Sequence, residues 1–280
     1  LDLLLSEPGE DVFYLFHDPA QSMFREDATA TLELREFPIE DNCRNARPIH
    51  AFAYRFYPGS LSPKPLREDG REPEVIEAEP GRPTVDAVRE ILGRLVHVEG
   101  VDRSQIAVLV GVSLAHSEVW KQRRFKGGLE LWNGGYDAAG ESLGLAADRV
   151  PAQPPGKIAI ETIHRFKGLE REVVVLAELR PDDEKLETRV YVGATRAKHH
   201  LVVVVPAELS HDVGKISAYG HQSEAGPQST AAGVPTSESY RASTRNMHYW
   251  HRKPVRQDAA WSRCLIFVGL RLTVFLPGSF

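Results

Sequence analysis

The stretch KIAIETIHRFKGLEREVVVLAEL, residues 157–179, places a polar loop between two apolar runs. Both runs are short, continuous and rich in β-branched residues, which indicates buried strands. The runs IAVLVG (106–111) and HLVVVV (200–205) have the same character. Helical spacing in AVREILGRLVHV (87–98) and a second helix predicted over residues 187–199 separate these strands. The alternation predicts an α/β fold, with a parallel sheet flanked by helices on both faces.

Composition favours a globular chain with no bulk attraction for nucleic acid. Of its 280 residues, 42% are apolar, which is enough to fill a core. The formal net charge is −5, so nucleic-acid binding would need a local basic surface. Two cysteines, Cys43 and Cys264, fit neither a disulfide framework nor a zinc motif, so we expect a cytoplasmic setting and no metal site. The apolar run at residues 264–280 is too short for a membrane span, so no membrane partner is expected.

Three segments differ in composition from the strands and helices. Residues 58–83 and 125–156 are rich in Gly, Pro and charge, and we expect an exposed connection and mostly loop, respectively. After Pro206 large apolar residues become rare, which predicts a low-complexity or disordered tail over residues 207–280. The chain has no initiator Met and starts in an apolar, helix-like pattern, so we expect it to be part of a larger protein.

The polar loop of the opening stretch carries groups that suit phosphates and sugars. Thr162 and His164 offer hydrogen bonds, and Lys167 offers a positive charge. Gly168 permits a close backbone approach, and Glu170 can accept from a sugar hydroxyl. In an open α/β sheet, ligands gather at the loops that follow strands. A helix cap followed by a solvated turn would explain the same residues without a ligand.

Three other segments add candidate ligand-binding residues. YVGATRAKHH carries Arg196 before a strand, and DNCRNARPI carries Arg44, each able to make a forked contact to phosphate. HDPAQSMF follows the run VFYLF (12–16), itself predicted to be a buried strand, and supplies Asp18, Gln21 and Phe24. Each segment alone is a weak signal, because an isolated Arg is usually solvated and an isolated Phe usually lies in a core.

Taken together and in this order, the segments resemble the UvrD/Rep-type superfamily 1 helicases. TIHRFKGLE is similar to motif V of that family and YVGATRAK to motif VI, while HDPAQSMF is similar to motif III and DNCRNARPI to motif IV. The resemblance covers about residues 12–206 and is strongest to compact members joined to a nuclease-related domain. It implies the C-terminal portion of such a helicase, with the RecA-like second motor domain of a P-loop helicase.

The resemblance also implies a role for each candidate residue. Three would act on the transferred phosphate: Gln21, Arg44 and Arg196. Four would bind the nucleotide, ATP with Mg²⁺: Asp18, Lys167, Gly168 and Glu170. Three would contact single-stranded DNA: Phe24, Thr162 and His164. The loop that carries motif V would then face two ligands, which explains its polarity between buried strands.

The chain departs from the family pattern in three places. Cys43 stands where an aromatic residue would stack on adenine, and His17 replaces the glycine of motif III. Neither a GxxxxGK[ST] loop nor a DE pair before motif III occurs in the 280 residues. That loop supplies most phosphate contacts in P-loop enzymes. ATP with Mg²⁺ is therefore expected to bind only together with a partner, the N-terminal motor domain of the same parent protein, and the chain alone is expected to be inactive.

The resemblance predicts three regions: residues 1–31 as the end of the first motor domain, residues 32–206 as the second motor domain without a large insertion, and the tail at residues 207–280. Three functional hypotheses remain open from the sequence. The chain is part of an ATP-dependent DNA helicase or translocase, or a non-catalytic helicase-like module that binds DNA or protein, or a truncated product without a function of its own.

Overall fold

The computed structural model of the chain describes residues 14–18, 21, 35–59, 63–78, 84–206, 209 and 271–274. The strands within these ranges are β1 (Tyr14–His17), β2 (Arg35–Pro38), β3 (Asp41–Ala46), β4 (Lys64–Arg67), β5 (Glu74–Ala78), β6 (Ile106–Val110), β7 (Arg124–Phe125), β8 (Leu129–Trp132), β9 (Ile158–Thr162), β10 (Arg171–Ala177), β11 (Ala197–Pro206) and β12 (Arg271–Val274). The α-helices are α1 (Arg47–Tyr54), α2 (Thr84–Gly93), α3 (Glu118–Lys121) and α4 (Leu186–Ala194). A π-helical turn, Arg94–Val98, extends α2, and short 3₁₀ turns occupy Arg103–Gln105, Leu114–His116 and Ala147–Arg149.

Seven strands form the main sheet, in the order β5-β11-β10-β6-β9-β8-β7. Neighbouring strands run parallel except in the β7–β8 hairpin. In the centre, Val173 of β10 pairs with Ile106 of β6 and with His200 of β11. Parallel neighbours must be joined by crossovers, which place helices over the sheet. The predicted parallel sheet flanked by helices is confirmed.

Two apolar cores cover the two faces of this sheet. Along β6, Ala107 and Leu109 face the core that includes α1 and α4, whereas Ile106, Val108 and Val110 face the core that includes α2 and α3. The alternation follows from the two-residue period of a strand. Because both faces are buried, the strands are apolar throughout instead of alternating with polar residues.

Helix α2 shows why the sequence pattern was informative. Its buried residues are Val85, Val88, Ile91 and Leu92, which lie on one helical face. On the opposite side, Asp86 and Arg89 form an ion pair at 2.7 Å, three residues apart. The predicted helix over residues 87–98 is thus found as α2 with its π-helical extension.

Two smaller sheets accompany the main one. Strands β1, β12 and β2 form an antiparallel sheet in that order, with Tyr14 opposite Val274. Strands β3 and β4 form a parallel pair whose register shifts between Asn42 and Ala46. Such an irregularity turns side chains away from the regular alternation of a strand. Arg44 lies in this irregular stretch.

The structure corrects three sequence-based expectations. The connection predicted at residues 58–83 contains β4 and β5, and β5 is an edge strand of the main sheet. The region 125–156 is mostly loop as expected, but it contains β8, which pairs with β9. The helix predicted over residues 187–199 ends at Ala194. In each case pairing with a distant strand decided the conformation, and local composition does not record that pairing.

The described residues all belong to one of the two units into which the chain divides, residues 1–218 with 266–280. The predicted tail, residues 207–280, lies outside the described residues apart from Leu209 and β12. No α-helix in the described ranges combines the length and apolarity that a membrane crossing requires.

Candidate functional site

The candidate site lies at the amino-terminal ends of β10 and β11, two interior strands of the main sheet. Glu170 directly precedes β10, and Arg196 directly precedes β11. The two strands are paired at Arg171 and Ala197, and the Arg171 N–H donates to the carbonyl of Arg196 at 3.0 Å. This pairing brings the end of the opening polar loop beside Arg196.

Arg44, on β3, reaches the same end of the strands. Its Nε lies 2.8 Å from Oε2 of Glu170, and the Arg44 residue is only 7% exposed. Burial lowers the pKa of Arg44, and the charge of Glu170 opposes that change. Glu170 remains partly exposed and also lies 3.8 Å from Lys198 Nζ. Its carboxylate is therefore shared between two cations and accessible to solvent.

Arg196 is the most deeply buried cation of the site, at 1% exposure. Its guanidinium donates to the carbonyl of Val192 at 3.0 Å, to Thr195 Oγ1 at 2.9 Å and to Gln21 Oε1 at 3.4 Å. All three acceptors are neutral. Burial first, and then the nearby charge of Arg44, lowers the pKa of Arg196. A buried cation of this kind would be stabilised by an anion.

Asp18 and Gln21 complete the cluster. Gln21 Nε2 donates to Asp18 Oδ2 at 2.9 Å, and the hydroxyl of Tyr191 donates to the same oxygen at 2.9 Å. Lys167 Nζ donates to the main-chain carbonyl of Gln21 at 3.0 Å. Burial lowers the pKa of Lys167, Asp18 opposes that shift, and Arg196 adds to it. Asp18 thus contacts Tyr191, and Gln21 contacts both Lys167 and Arg196.

The polar loop runs from the carboxyl-terminal end of β9 to the amino-terminal end of β10, so it spans the length of the strands. Thr162 ends β9 beside Val110, the last residue of β6, whereas the loop returns to β10, which pairs with the start of β6. Ile163 and Phe166 anchor the loop in the core beneath it. Gly168 has φ +88°, a left-handed conformation that glycine adopts without strain. The buried residues hold the loop in place, and its polar residues lie at both ends of the strands.

Two of the predicted DNA-contacting residues, Thr162 and His164, lie at the carboxyl-terminal ends of the strands, away from Glu170 at the amino-terminal end of β10. Thr162 Oγ1 accepts from the N–H of Arg165 at 3.3 Å, and the main-chain carbonyl of His164 accepts from Lys167 N–H at 3.2 Å. Burial, followed by the charge of Lys167, lowers the pKa of His164. Phe24, the third predicted DNA contact, lies outside the described residues.

The structure therefore brings together six of the predicted residues and separates two others. Those that converge are Asp18, Gln21, Arg44, Lys167, Glu170 and Arg196. Gly168 lies between Lys167 and Glu170 in the same loop. The exposed thiol of Cys43 adjoins Arg44 on β3. Within the described ranges, no group of three or more His, Cys, Asp or Glu side chains could hold a metal ion.

Sequence reasoning missed three residues that organise the cluster. Tyr191 holds Asp18, and the fully buried Asn42 and Asn45 hold the segment around Arg44. The available signal was a pair of asparagines flanking Arg44 in DNCRN, since asparagine is depleted from regular strands. Which atoms those amides contact depends on residues far away in the chain.

The fold and site together define a class: an α/β protein whose parallel sheet is covered on both faces, with a buried, cation-rich site at the amino-terminal ends of two interior strands. Residues 157–204 match the model of the UvrD-like helicase C-terminal domain. This match confirms the resemblance to the C-terminal portion of a UvrD-type helicase. The matched segment contains Lys167, Glu170 and Arg196, whereas Arg44 and Gln21 precede it.

Solved structures that match the chain include the C-terminal domain of a possible DNA helicase from Lactobacillus plantarum WCFS1. The two are 20% identical, with a TM-score of 0.42, and the match covers 61% of this chain and 96% of that one. No curated protein matches the chain.

Proposed function

We propose that the chain is the C-terminal portion of an ATP-dependent DNA helicase or translocase, in which Arg44 and Arg196 act as arginine fingers. The observation that carries this proposal is the convergence of two buried guanidiniums on Gln21 and Glu170, from segments that are distant in the sequence. Guanidiniums at such a position stabilise the charge that develops on a phosphate during transfer.

The chemistry of the donor set fits a nucleotide triphosphate. Arg44, Arg196 and Lys167 carry positive charge, and among the described residues the carboxylates of Asp18 and Glu170 stand between them. The hydrogen-bond acceptors of Arg196 are all neutral, and Asp18 and Glu170 act on it through their charge alone, so a phosphate near it would be its first anionic hydrogen-bond partner. Bound ATP with Mg²⁺ would supply the phosphoryl group.

Each side chain then has a defined task. Val192 and Thr195 fix the Arg196 guanidinium, and Gln21 connects it to Asp18. Arg44 is held by Glu170, whose partly exposed carboxylate can turn to a ribose hydroxyl when Arg44 turns to a phosphate. Such an exchange would keep both groups paired before and after nucleotide binding.

Single-stranded DNA is the proposed ligand at the carboxyl-terminal ends of the strands, opposite the nucleotide site. Thr162 and His164 stand there, at the other end of the loop that carries Lys167 and Glu170. Ile163 and Phe166 anchor the loop to one core, so the loop would move as a unit. A displacement of Lys167 and Glu170 by the nucleotide would therefore also displace Thr162 and His164. The N-terminal motor domain of the parent protein is the proposed partner that completes the nucleotide site, in a cytoplasmic setting.

The proposal is tested by ATP binding and DNA-stimulated ATP hydrolysis, measured on the chain alone and after addition of the N-terminal motor domain. We expect the chain alone not to hydrolyse ATP, and the combination to do so. Arg44→Ala and Arg196→Ala should each lower kcat by about 10³-fold. Arg180→Ala is the matched control, because Arg180 is an exposed arginine paired with Asp182 at 2.7 Å. An unchanged kcat in Arg196→Ala would contradict the proposal.

A second candidate function is a non-catalytic module that binds DNA or protein. One observation favours it: Glu170 already neutralises Arg44 within the chain, so the site is partly satisfied without a nucleotide. This module would bind single-stranded DNA with the same affinity whether or not ATP and the N-terminal motor domain are present. A motor would change its DNA affinity with nucleotide.

A further inference from the structure

Asn45 forms a bridge to the main chain around Arg196. Its side chain is fully buried, and its Nδ2 donates to the carbonyl of Thr195 at 3.1 Å and to that of Ala197 at 2.6 Å. These two carbonyls lie immediately before and after Arg196. The amide of Asn45 therefore holds, by two hydrogen bonds, the main chain that carries Arg196.

The same asparagine directly follows the other arginine, Arg44, and its neighbour Asn42 fixes its orientation. Asn42 Oδ1 accepts from the N–H groups of Arg44 at 3.0 Å and Asn45 at 3.2 Å. Asn42 Nδ2 donates to Asn45 Oδ1 at 3.2 Å. Because main-chain carbonyls only accept, the Asn45 atom that faces Thr195 and Ala197 must be the nitrogen. Every polar atom of the Asn45 amide thus has a partner.

No strand ladder in the described part of the chain performs this task. Arg44 lies on β3, which pairs with β4 in a separate sheet, whereas Arg196 precedes β11 of the main sheet. The register of β3 is also irregular between Asn42 and Ala46, so strand pairing leaves the position of Arg44 loosely specified. The two bonds from Asn45 connect these two sheets, next to Arg44 in one segment and on either side of Arg196 in the other.

We propose that Asn45 is a positioning residue that sets the separation of the two arginines, so that both can contact one nucleotide phosphate group. This inference rests on the function proposed above and adds to it a residue that contacts neither nucleotide nor DNA. Its physical basis is that reacting groups displaced by about 1 Å can lose about 10²-fold in rate. The buried amide, with both hydrogens engaged, restricts such displacement.

The test measures how the two arginines cooperate, in addition to how tightly ATP binds. ATP affinity is determined by calorimetry with a non-hydrolysable ATP analogue for the full chain and for Arg44→Ala, Arg196→Ala and the double variant, each with the N-terminal motor domain present. In the native background we expect each single change to weaken ATP binding, and the double change to be non-additive. With Asn45→Ala, ATP binding should weaken about tenfold, and Arg44→Ala should then cause little further loss.

Asn133→Ala is the control for the loss of an amide that donates to a strand carbonyl, although Asn133 is only partly buried. Asn133 Nδ2 also donates to a strand carbonyl, that of Ile160 at 2.6 Å, and to Glu161 Oε2 at 3.0 Å, but it lies at another part of the sheet. We expect it to lower the unfolding midpoint without changing ATP affinity. Asn45→Ser keeps one donor and should give an intermediate ATP affinity, and it serves as the test if Asn45→Ala fails to fold.

The outcomes separate the two proposals. If Arg44→Ala and Arg196→Ala weaken ATP binding but Asn45→Ala and Asn45→Ser bind ATP like the native chain, the positioning role is wrong and the proposed function stands. If neither arginine change affects ATP affinity or kcat, the proposed function fails, and the role of Asn45 fails with it. If the arginine changes lower only kcat, the proposed function stands and the role of Asn45 in setting both arginines on bound ATP is wrong. An equal loss of ATP affinity in Asn133→Ala would show that Asn45 acts only through general stability.

Discussion

At the scale of single residues, Arg196 shows how a charge can be kept where almost no water reaches it. Removing a guanidinium from water is costly, and here three neutral acceptors repay only part of that cost. Arginine suits such a position better than lysine, because its planar fork engages several acceptors at once and stays charged. The charges of Asp18 and Glu170 also favour the charged form of Arg196, whereas burial and Arg44 oppose it, so an anion beside the two guanidiniums would stabilise both.

Gly168 provides a second test at the residue scale. It has φ +88°, and a Cβ added there would meet nothing within 4 Å. Gly168→Ala should therefore cost only the backbone strain of a left-handed residue, about 1 kcal/mol in the free energy of unfolding. If the nucleotide approaches this backbone, ATP affinity measured by calorimetry should also fall several-fold.

The matched control for this change is Gly156→Ala. Gly156 has φ +77° and equally open surroundings, but it precedes β9 and lies outside the candidate site. We expect the two variants to lose similar stability, measured by urea unfolding, and only Gly168→Ala to lose ATP affinity. Equal ATP affinity in both variants would remove Gly168 from the nucleotide site.

At the scale of elements, α1 supports β3 through a neutral histidine. His50 Nδ1 lies 2.8 Å from Asn42 Nδ2, and the other side of the ring bonds to the backbone of Pro63. With Nε2 protonated, Nδ1 is the acceptor that the Asn42 amide needs. Burial lowers the pKa of His50 to about 4, so the ring stays neutral in the folded chain at neutral pH. The network that carries Asn45 thus extends into the helix.

This arrangement predicts a pH dependence of stability. Between about pH 6.5 and pH 4 the unfolded chain binds a proton at His50 that the folded chain does not, so stability falls as the pH falls. The His50 contribution lost between pH 7.5 and pH 5 is about 2 kcal/mol. His50→Gln keeps an acceptor but cannot titrate, and urea unfolding should show that much less loss in the variant. Equal losses in the two proteins would refute the assignment.

At the scale of the whole molecule, the net charge of −5 means that DNA must be bound by particular groups and not by the overall field. Three of the four cations in the most basic sequence cluster, KQRRFK (121–126), make contacts within the chain. Lys121 pairs with Glu118 at 2.7 Å, Arg124 with Glu130 at 3.5 Å, and Arg123 stacks on Trp120 at 4.7 Å. These contacts favour a solvated surface over a DNA path.

We therefore expect the triple variant Lys121→Gln, Arg124→Gln, Lys126→Gln to bind single-stranded DNA like the native chain. The measurement is the affinity for a short single strand over a series of salt concentrations. For single strands the slope of log affinity against log salt changes by about 0.7 for each phosphate that the protein no longer neutralises. An unchanged slope supports the expectation, and a slope reduced by about 2 would place the cluster on the DNA path. Thr162→Ala with His164→Ala is the comparison that should weaken binding.

The sequence by itself determined the layered α/β fold, because the runs that form β6, β9, β10 and β11 are apolar throughout and the spacing in α2 is helical. Such periodicity is local, so it can be recognised without knowing what packs against it. The candidate residues in the polar loop were also visible, because charged and glycine residues between two buried strands are conspicuous. Their roles remain predictions.

Only the tertiary structure decided which of these residues meet. Strand pairing ended α4 at Ala194 and drew β5 and β8 into the main sheet. The convergence of Arg44 with Arg196, and the grip of Asn45 on Thr195 and Ala197, join segments that no local pattern connects. Contacts of this kind arise from burial and hydrogen bonding between distant parts of the chain, and only the folded arrangement specifies them.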